Sequence, residues 1–141
     1  MSVEIIGLEK TVKRLSSLQK LADLAMAKTV ADLAGRGHHI AVDSIVNGGT
    51  RSGSVNIRRG HKRSAVGEVP KDDFGLLAGS IFSRHTGLSG EFGTSLDYGV
   101  KYEIGDGVGS RPFLLPASFL LKSEVKAILS KNVKKIMFGG I

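Results

Sequence analysis

The sequence predicts an α+β fold: a long N-terminal helical segment, a small antiparallel β-sheet, and a C-terminal helix packed on that sheet. Apolar residues recur every three or four positions before residue 46 and again after Pro116, which is the period of an amphipathic helix. Between these stretches, short segments of alternating apolar and small or polar residues are separated by turn residues, which indicates antiparallel strands. Helices at both ends of a run of strands are typical of an α+β subunit.

The composition predicts one domain, residues 1–141, with a modest core. Apolar residues make up 41% of the chain, but aromatic residues only 6%, and Trp is absent. A chain with so small an aliphatic core gains stability by association with copies or partners. Cys is also absent, which excludes disulfides and thiolate metal sites.

No segment of the sequence predicts a membrane partner or a secretory signal. No run approaches the roughly 20 apolar residues that cross a bilayer. Residues 1–20 carry Glu4 and Glu9 and have no uninterrupted apolar core. We therefore expect a soluble protein that is made in the cytoplasm.

The N-terminal half is expected to be mainly helical. Residues 2–6 are β-branched and apolar and predict a short strand that Gly7 ends. An amphipathic helix begins at Leu8, with an expected break at Ser16 and Ser17. A second helical run ends at residues 47–49 (NGG), and Gly35 and Gly37 within it predict a kink or close packing.

The middle of the chain predicts turns and strands. Residues 47–71 predict an exposed basic hairpin or a long loop with a turn at Arg59-Gly60. Residues 74–83 and 88–94 predict two antiparallel strands joined by a turn at residues 84–87. Residues 96–104 fit either a third strand or a helical turn.

The last third of the chain predicts the closing helix. Pro112 and Pro116 bracket residues 113–115 and push the residues before them toward extended conformations. Pro116 then fits the first turn of a helix whose lysines lie opposite its apolar face.

The sequence predicts no catalytic, cofactor-binding or metal-ligating residues, and hence no enzyme. No two of the four histidines have the three- or four-residue spacing that lets two imidazoles share an ion. The glycine-rich residues 105–109 (GDGVG) lack the Lys-Ser/Thr of a phosphate loop, and no serine lies in a Gly-x-Ser-x-Gly turn. Three acidic residues lie close together in the sequence: Asp97, Glu103 and Asp106. Salt bridges or turn capping explain them at least as well as paired acid–base chemistry does.

The formal net charge of +7 is concentrated in two segments. Residues 47–71 hold six Lys or Arg against Glu68, and residues 122–135 hold five Lys against Glu124. Exposed basic residues on a projection attract phosphate without sequence preference, although a solvated loop explains the same pattern. Aromatic residues that could stack on bases are missing from the basic stretch.

Five short segments form an ordered series. They are residues 64–70 (SAVGEVP), 74–81 (FGLLAGSI), 93–98 (GTSLDY), 102–105 (YEIG) and 111–117 (RPFLLPA). Their order and spacing resemble those of the small head-tail joining, or tail-completion, neck proteins of long-tailed bacteriophages.

This resemblance implies a structural virion protein of the head-tail junction that performs no catalysis. It implies a homo-oligomeric ring, expected to be a hexamer, between the neck and the tail tube. The implied partners are neighbouring neck or connector proteins, tail-tube or tail-terminator proteins, and the genomic DNA in the lumen. The implied location is the virion, after assembly in the host cytoplasm.

The ring interpretation assigns roles to two sets of residues. The residues expected to face the DNA channel or a neighbouring ring are Arg51, Arg58, Arg59, Lys62 and Arg63. Those expected to build the structural junction before the last helix are Tyr98, Tyr102, Arg111, Pro112, Phe113 and Pro116. Two alternatives remain: an independent, sequence-independent nucleic-acid-binding module, and a tail-terminator ring.

Overall fold

A computed structural model describes residues 2–48, 55–56, 61–62, 64–70, 75–107 and 109–139. In chain order the elements are helix α1 (Leu8–Val46), strands β1 (Val55–Asn56) and β2 (His61–Lys62), helix α2 (Leu76–Ser80), strands β3 (Ile81–Thr86) and β4 (Ser89–Thr94), and helices α3 (Asp97–Ile104) and α4 (Leu114–Met137). The α+β architecture predicted from the sequence is confirmed. None of the described helices is both long enough and apolar enough to cross a membrane.

Helix α1 is the scaffold of the molecule. It continues for 39 residues, about 58 Å at 1.5 Å per residue. The predicted break at Ser16 and Ser17 is wrong, since the Ser17 hydroxyl bonds the Lys13 carbonyl within the helix, 3.0 Å away. The helix ends at Val46 as expected, where the N–H of Asn47 donates to the Asp43 carbonyl.

One predicted strand is absent from the described structure, and another begins later than expected. Residues 2–6 have no regular structure and no pairing partner among the described residues, so their β-branched composition is not enough to form a strand. Residues 76–80 form the short helix α2, entered through Gly75 at φ 75°. A positive φ at Gly75 turns the chain, and the strand therefore begins only at Ile81.

Strands β3 and β4 form the predicted antiparallel hairpin. Ile81 pairs with Thr94 and Thr86 with Ser89, which leaves a two-residue turn at Gly87-Leu88. The turn predicted at residues 84–87 is wrong, because residues 84–86 continue β3. The residues from Ser83 to Glu91 are exposed, but the hairpin lies along α1, with Phe92 against Gly37 and Gly90 against Val30. Residues 97–104, which the sequence left open between strand and helix, are helical.

Helix α4 packs mainly along α1, antiparallel to it. Arg36 meets Glu124, while Thr29 and Asp32 meet Asn132, so positions rise on one helix as they fall on the other. The hairpin packs on α1 as well, so the C-terminal helix packs mainly on α1 and not, as the sequence predicted, on the sheet. The buried apolar core is small and consists of Ala41, Ile45, Leu77, Ile81, Phe113 and Ala117.

Candidate assembly site

The N-terminus of α4 is capped by a carboxylate from another helix. Glu103 in α3 accepts the backbone N–H groups of Phe113 at 2.8 Å, Leu114 at 3.0 Å and Leu115 at 2.7 Å. The first N–H groups of a helix have no partner within it, and their partial positive charge favours an anion. Glu103 therefore fastens α3 to the start of α4.

Next to this cap, Arg111 contacts three separate parts of the chain. Its Nε donates to the Ser64 carbonyl at 3.1 Å and its Nη1 to the Gly109 carbonyl at 3.3 Å. Its guanidinium carbon lies 5.6 Å from the centre of the Tyr102 ring, within cation–π range. Its backbone N–H donates to the Tyr102 carbonyl, so Arg111 is held at both ends.

The predicted junction residues meet in this region. Tyr98 and Tyr102 pack edge to face, with ring centres 5.9 Å apart. Phe113 is fully buried in the core, next to the half-buried Pro112. Pro116 lies in the first turn of α4, as its missing N–H predicts. Leu115, which Pro116 was predicted to push toward an extended conformation, is helical instead, because α4 begins at Leu114.

Glu103 is the junction residue whose specific role the sequence did not reveal. The sequence offered only a salt bridge or turn capping. A signal was present, because the residue preceding α4 is Phe113, whose side chain cannot cap a helix. Such a helix start calls for a carboxylate or hydroxyl from elsewhere in the chain.

Polar contacts fix the register of α1 against α4. Arg36 Nε and Nη2 donate to the two carboxylate oxygens of Glu124 at 2.7 and 2.9 Å. This paired hydrogen bond lowers the pKa of Glu124 and raises that of Arg36. The buried amide of Asn132 donates to Asp32 at 2.8 Å and to Thr29 at 3.3 Å.

The first part of α1 extends beyond α4. All residues from 2 to 20 are exposed, and we call this segment the arm. Its helical portion, residues 8–20, is about 20 Å long. Val3, Ile5 and Ile6 are 75–88% exposed, and Leu8, Val12, Leu15 and Leu18 are 42–61% exposed. This apolar surface is not covered by any described residue of the chain.

An apolar groove lies beside α1, between the β3–β4 hairpin and α4. Its volume is about 280 Å³. Val30 and Leu33 of α1 line it, with Leu88, Glu91 and Phe92 of the hairpin and Leu121 of α4. Among the described residues that line it, only Glu91 is charged, and Arg84 pairs with it at 2.7 Å.

The basic residues are only partly within the described chain. Lys62 lies in β2, whose pairing with β1 confirms a hairpin in the basic segment (Val55 with Lys62, Asn56 with His61). Arg51, Arg58, Arg59 and Arg63 lie outside the described residues. The lysines of α4 are exposed, on the side predicted for them.

Among the described residues, no three His, Asp or Glu side chains are grouped in a way that could hold a metal ion. His38 is half-buried and His39 exposed. What the described surface offers is contact area: an apolar arm, an apolar groove and rows of lysine.

Comparison with known proteins adds no relative. No protein-family model, curated protein or solved structure matches the chain.

Proposed function

We propose that this chain is a structural subunit of the head-tail junction of a long-tailed bacteriophage, and that copies of it assemble into a ring around the DNA channel. The observation that carries the proposal is the exposed arm: it holds seven large exposed apolar side chains, four of them on the first 13 positions of α1, and no described residue covers them. Contiguous exposed apolar surface of this kind is typical of a protein whose neighbours cover it.

The junction before α4 supports the same proposal. Segments 64–70, 102–105 and 111–117 of the ordered series meet through the contacts of Arg111 and Glu103. These contacts explain why the three segments occur together, because they join the start of α4 to α3 and to the end of the basic segment. Rigid support of this kind suits a subunit whose function lies in its contacts with neighbours.

The ring geometry gives the basic segment its role. Cyclic symmetry repeats one head-to-tail interface, so a basic hairpin occurs once per subunit around the ring. Phosphate attraction that is weak for one hairpin becomes strong when about six hairpins surround the same duplex. Arg51, Arg58, Arg59, Lys62 and Arg63 then face either the channel or the adjoining ring.

The proposal is tested by the assembly state of the purified chain. Size-exclusion chromatography with light scattering should give one closed species of about six copies, and electron microscopy should show a ring. Addition of the chain to purified necks and tails should increase the yield of joined particles. A strictly monomeric chain that also fails to join necks or tails contradicts the proposal.

A second candidate function is sequence-independent nucleic-acid binding by the single chain. Lys122, Lys126 and Lys134 favour it, because they are exposed at four- and eight-residue spacings on one side of α4. Such a module binds duplex DNA as a monomer, with affinity that falls steeply as salt rises.

Charge reversal separates the two functions. Replacement of these four residues by Glu should weaken duplex binding whichever function is correct: Arg58, Arg59, Lys62 and Arg63. If the chain forms a ring that lines the channel, the same replacement should also lower the yield of joined particles. If particle joining were intact and only binding of free DNA were lost, the nucleic-acid module would be favoured.

A further inference from the structure

The apolar strip of the arm and the groove lie on the same side of α1. The strip runs through Leu8, Val12, Leu15, Ala22 and Met26 and ends at Val30 and Leu33. Its steps are three, four or seven residues, each of which returns to nearly the same side of an α-helix. Val30 and Leu33 also line the groove. The exposed strip therefore continues into a surface that the hairpin and α4 already flank.

One molecule cannot place the arm part of its own strip in its own groove. Leu15 and Val30 are on a single uninterrupted helix and lie about 23 Å apart along its axis. A rigid helix keeps this separation, so an arm that fills a groove must come from another molecule.

We propose that the arm of one copy docks in the groove of a second copy of the same chain, with Leu8, Val12 and Leu15 against Leu33, Leu88 and Phe92. The proposal rests on the proposed function, in which copies of the chain associate. Helix-in-groove recognition uses apolar anchors at three- and four-residue spacings, which is the spacing of the arm.

The charges agree with this pairing. Residues 8–20 carry four basic side chains against Glu9, and two of them, Lys13 and Arg14, lie between Val12 and Leu15. Among the described residues, the carboxylate of Glu91 is the only charge that lines the groove, and Arg84 pairs with it at 2.7 Å. The basic side chains of the arm therefore meet an acidic lining residue whose charge Arg84 already offsets in part.

Docking of this kind covers two open surfaces with one contact. An arm-to-arm pair would bury the strip but leave Leu88, which is 66% exposed, and the groove open. An arm-to-groove contact joins different patches on the two copies, and repetition of such a contact gives a ring if the rotation between copies closes and an open filament if it does not.

Three single substitutions in the full chain test the contact. Leu15→Glu alters the arm, and Leu88→Glu alters the groove. Leu24→Glu is the matched control, because Leu24 is 59% exposed and lies nine residues from Leu15, on the opposite side of the same helix. All three positions are exposed, so circular dichroism should show an unchanged fold.

The expected result is a selective loss of self-association, measured by sedimentation velocity and light scattering. L15E and L88E should each weaken it at least about tenfold, while L24E behaves as the unaltered chain. A mixture of L15E and L88E should form a one-to-one dimer, because the first retains a working groove and the second a working arm.

Several outcomes overturn the contact. The first is an equal effect of L15E and L24E, and the second is no recovery of association in the mixture. The third is that only Phe119→Glu, at an exposed residue of α4, abolishes association. If the L15E and L88E variants still form rings that join tails normally, the docking proposal is wrong and the proposed function is retained. If the copies dock as described but join no particles, the function fails and docking stands.

Discussion

Gly35 and Gly37 lie two residues apart on α1 and have different reasons to be glycine. A Cβ at Gly37 would overlap the ring of Phe92, whereas nothing lies within 4 Å of a Cβ at Gly35. The close packing expected from the sequence is therefore present at Gly37, where the hairpin approaches the helix.

This difference predicts opposite effects of the same substitution. Gly37→Ala should lower the free energy of unfolding by about 1–3 kcal/mol, because Phe92 must move. Gly35→Ala should raise it by up to about 1 kcal/mol, because alanine favours the helix and meets no neighbour. Urea denaturation measures both, and equal effects would contradict the described contact.

Glu103 is the residue on which the start of α4 depends. Glu103→Gln removes the charge and one acceptor oxygen from three backbone N–H groups. We expect the free energy of unfolding to fall by about 1–2 kcal/mol in urea denaturation. Glu9→Gln, at an exposed acid in the first turn of α1, should change it by less than about 0.5 kcal/mol. Equal losses would exclude the cap as the cause.

At the scale of elements, the pairing of α1 with α4 depends on polar contacts as well as on apolar burial. Asn132 is 1% exposed, and its amide donates to Asp32 and Thr29. The hydrogen bond from Asn132 is the main cause that lowers the pKa of Asp32 below its ordinary value of 3.8, and Lys28 contributes. A depressed pKa means that ionised Asp32 stabilises the folded chain.

Asn132→Ala should therefore destabilise the chain most at neutral pH. The expected loss in the free energy of unfolding is about 2–3 kcal/mol. The part that comes from Asp32 is present above the usual aspartate pKa and disappears as pH falls through the lowered pKa of the folded state. The difference between the two proteins should therefore shrink in acid.

Urea denaturation at neutral and acidic pH measures this difference. Asn47→Ala is the matched control, because the exposed Asn47 also donates to an aspartate, Asp43, at 2.8 Å. It should cost less than about 1 kcal/mol. A difference for N132A that does not depend on pH would contradict the role given to Asp32.

At the scale of the whole molecule, we expect the arm to contribute little to the stability of the rest of the chain, which we call the body. The buried residues of α1 begin at Ala25, so the arm adds no buried side chain to the body. Association, by contrast, is proposed to depend on the arm.

Deletion of residues 2–20 should therefore separate folding from assembly. The free energy of unfolding should change by less than about 1 kcal/mol, because only exposed helix is lost. Light scattering should show a monomer at concentrations at which the full chain associates. Unfolding of the shortened chain would show that the arm supports the body, and unchanged association would show that copies meet through another surface.

The sequence by itself determined the α+β class, the end of α1 at Asn47, the β3–β4 hairpin and the place of Pro116. These features follow from local patterns: helical period, alternation, and the fixed φ and missing N–H of proline. Only the tertiary structure decided that Glu103 caps α4, that Gly37 and not Gly35 is packed, and that residues 76–80 are helical. Each of these depends on which distant segment lies alongside, and tertiary contacts override local propensity in such cases.

The apolar strip of the arm was visible in the sequence, but a helical period does not say whether its apolar side is covered. Only the packing of α4 decided that no described residue covers residues 2–20.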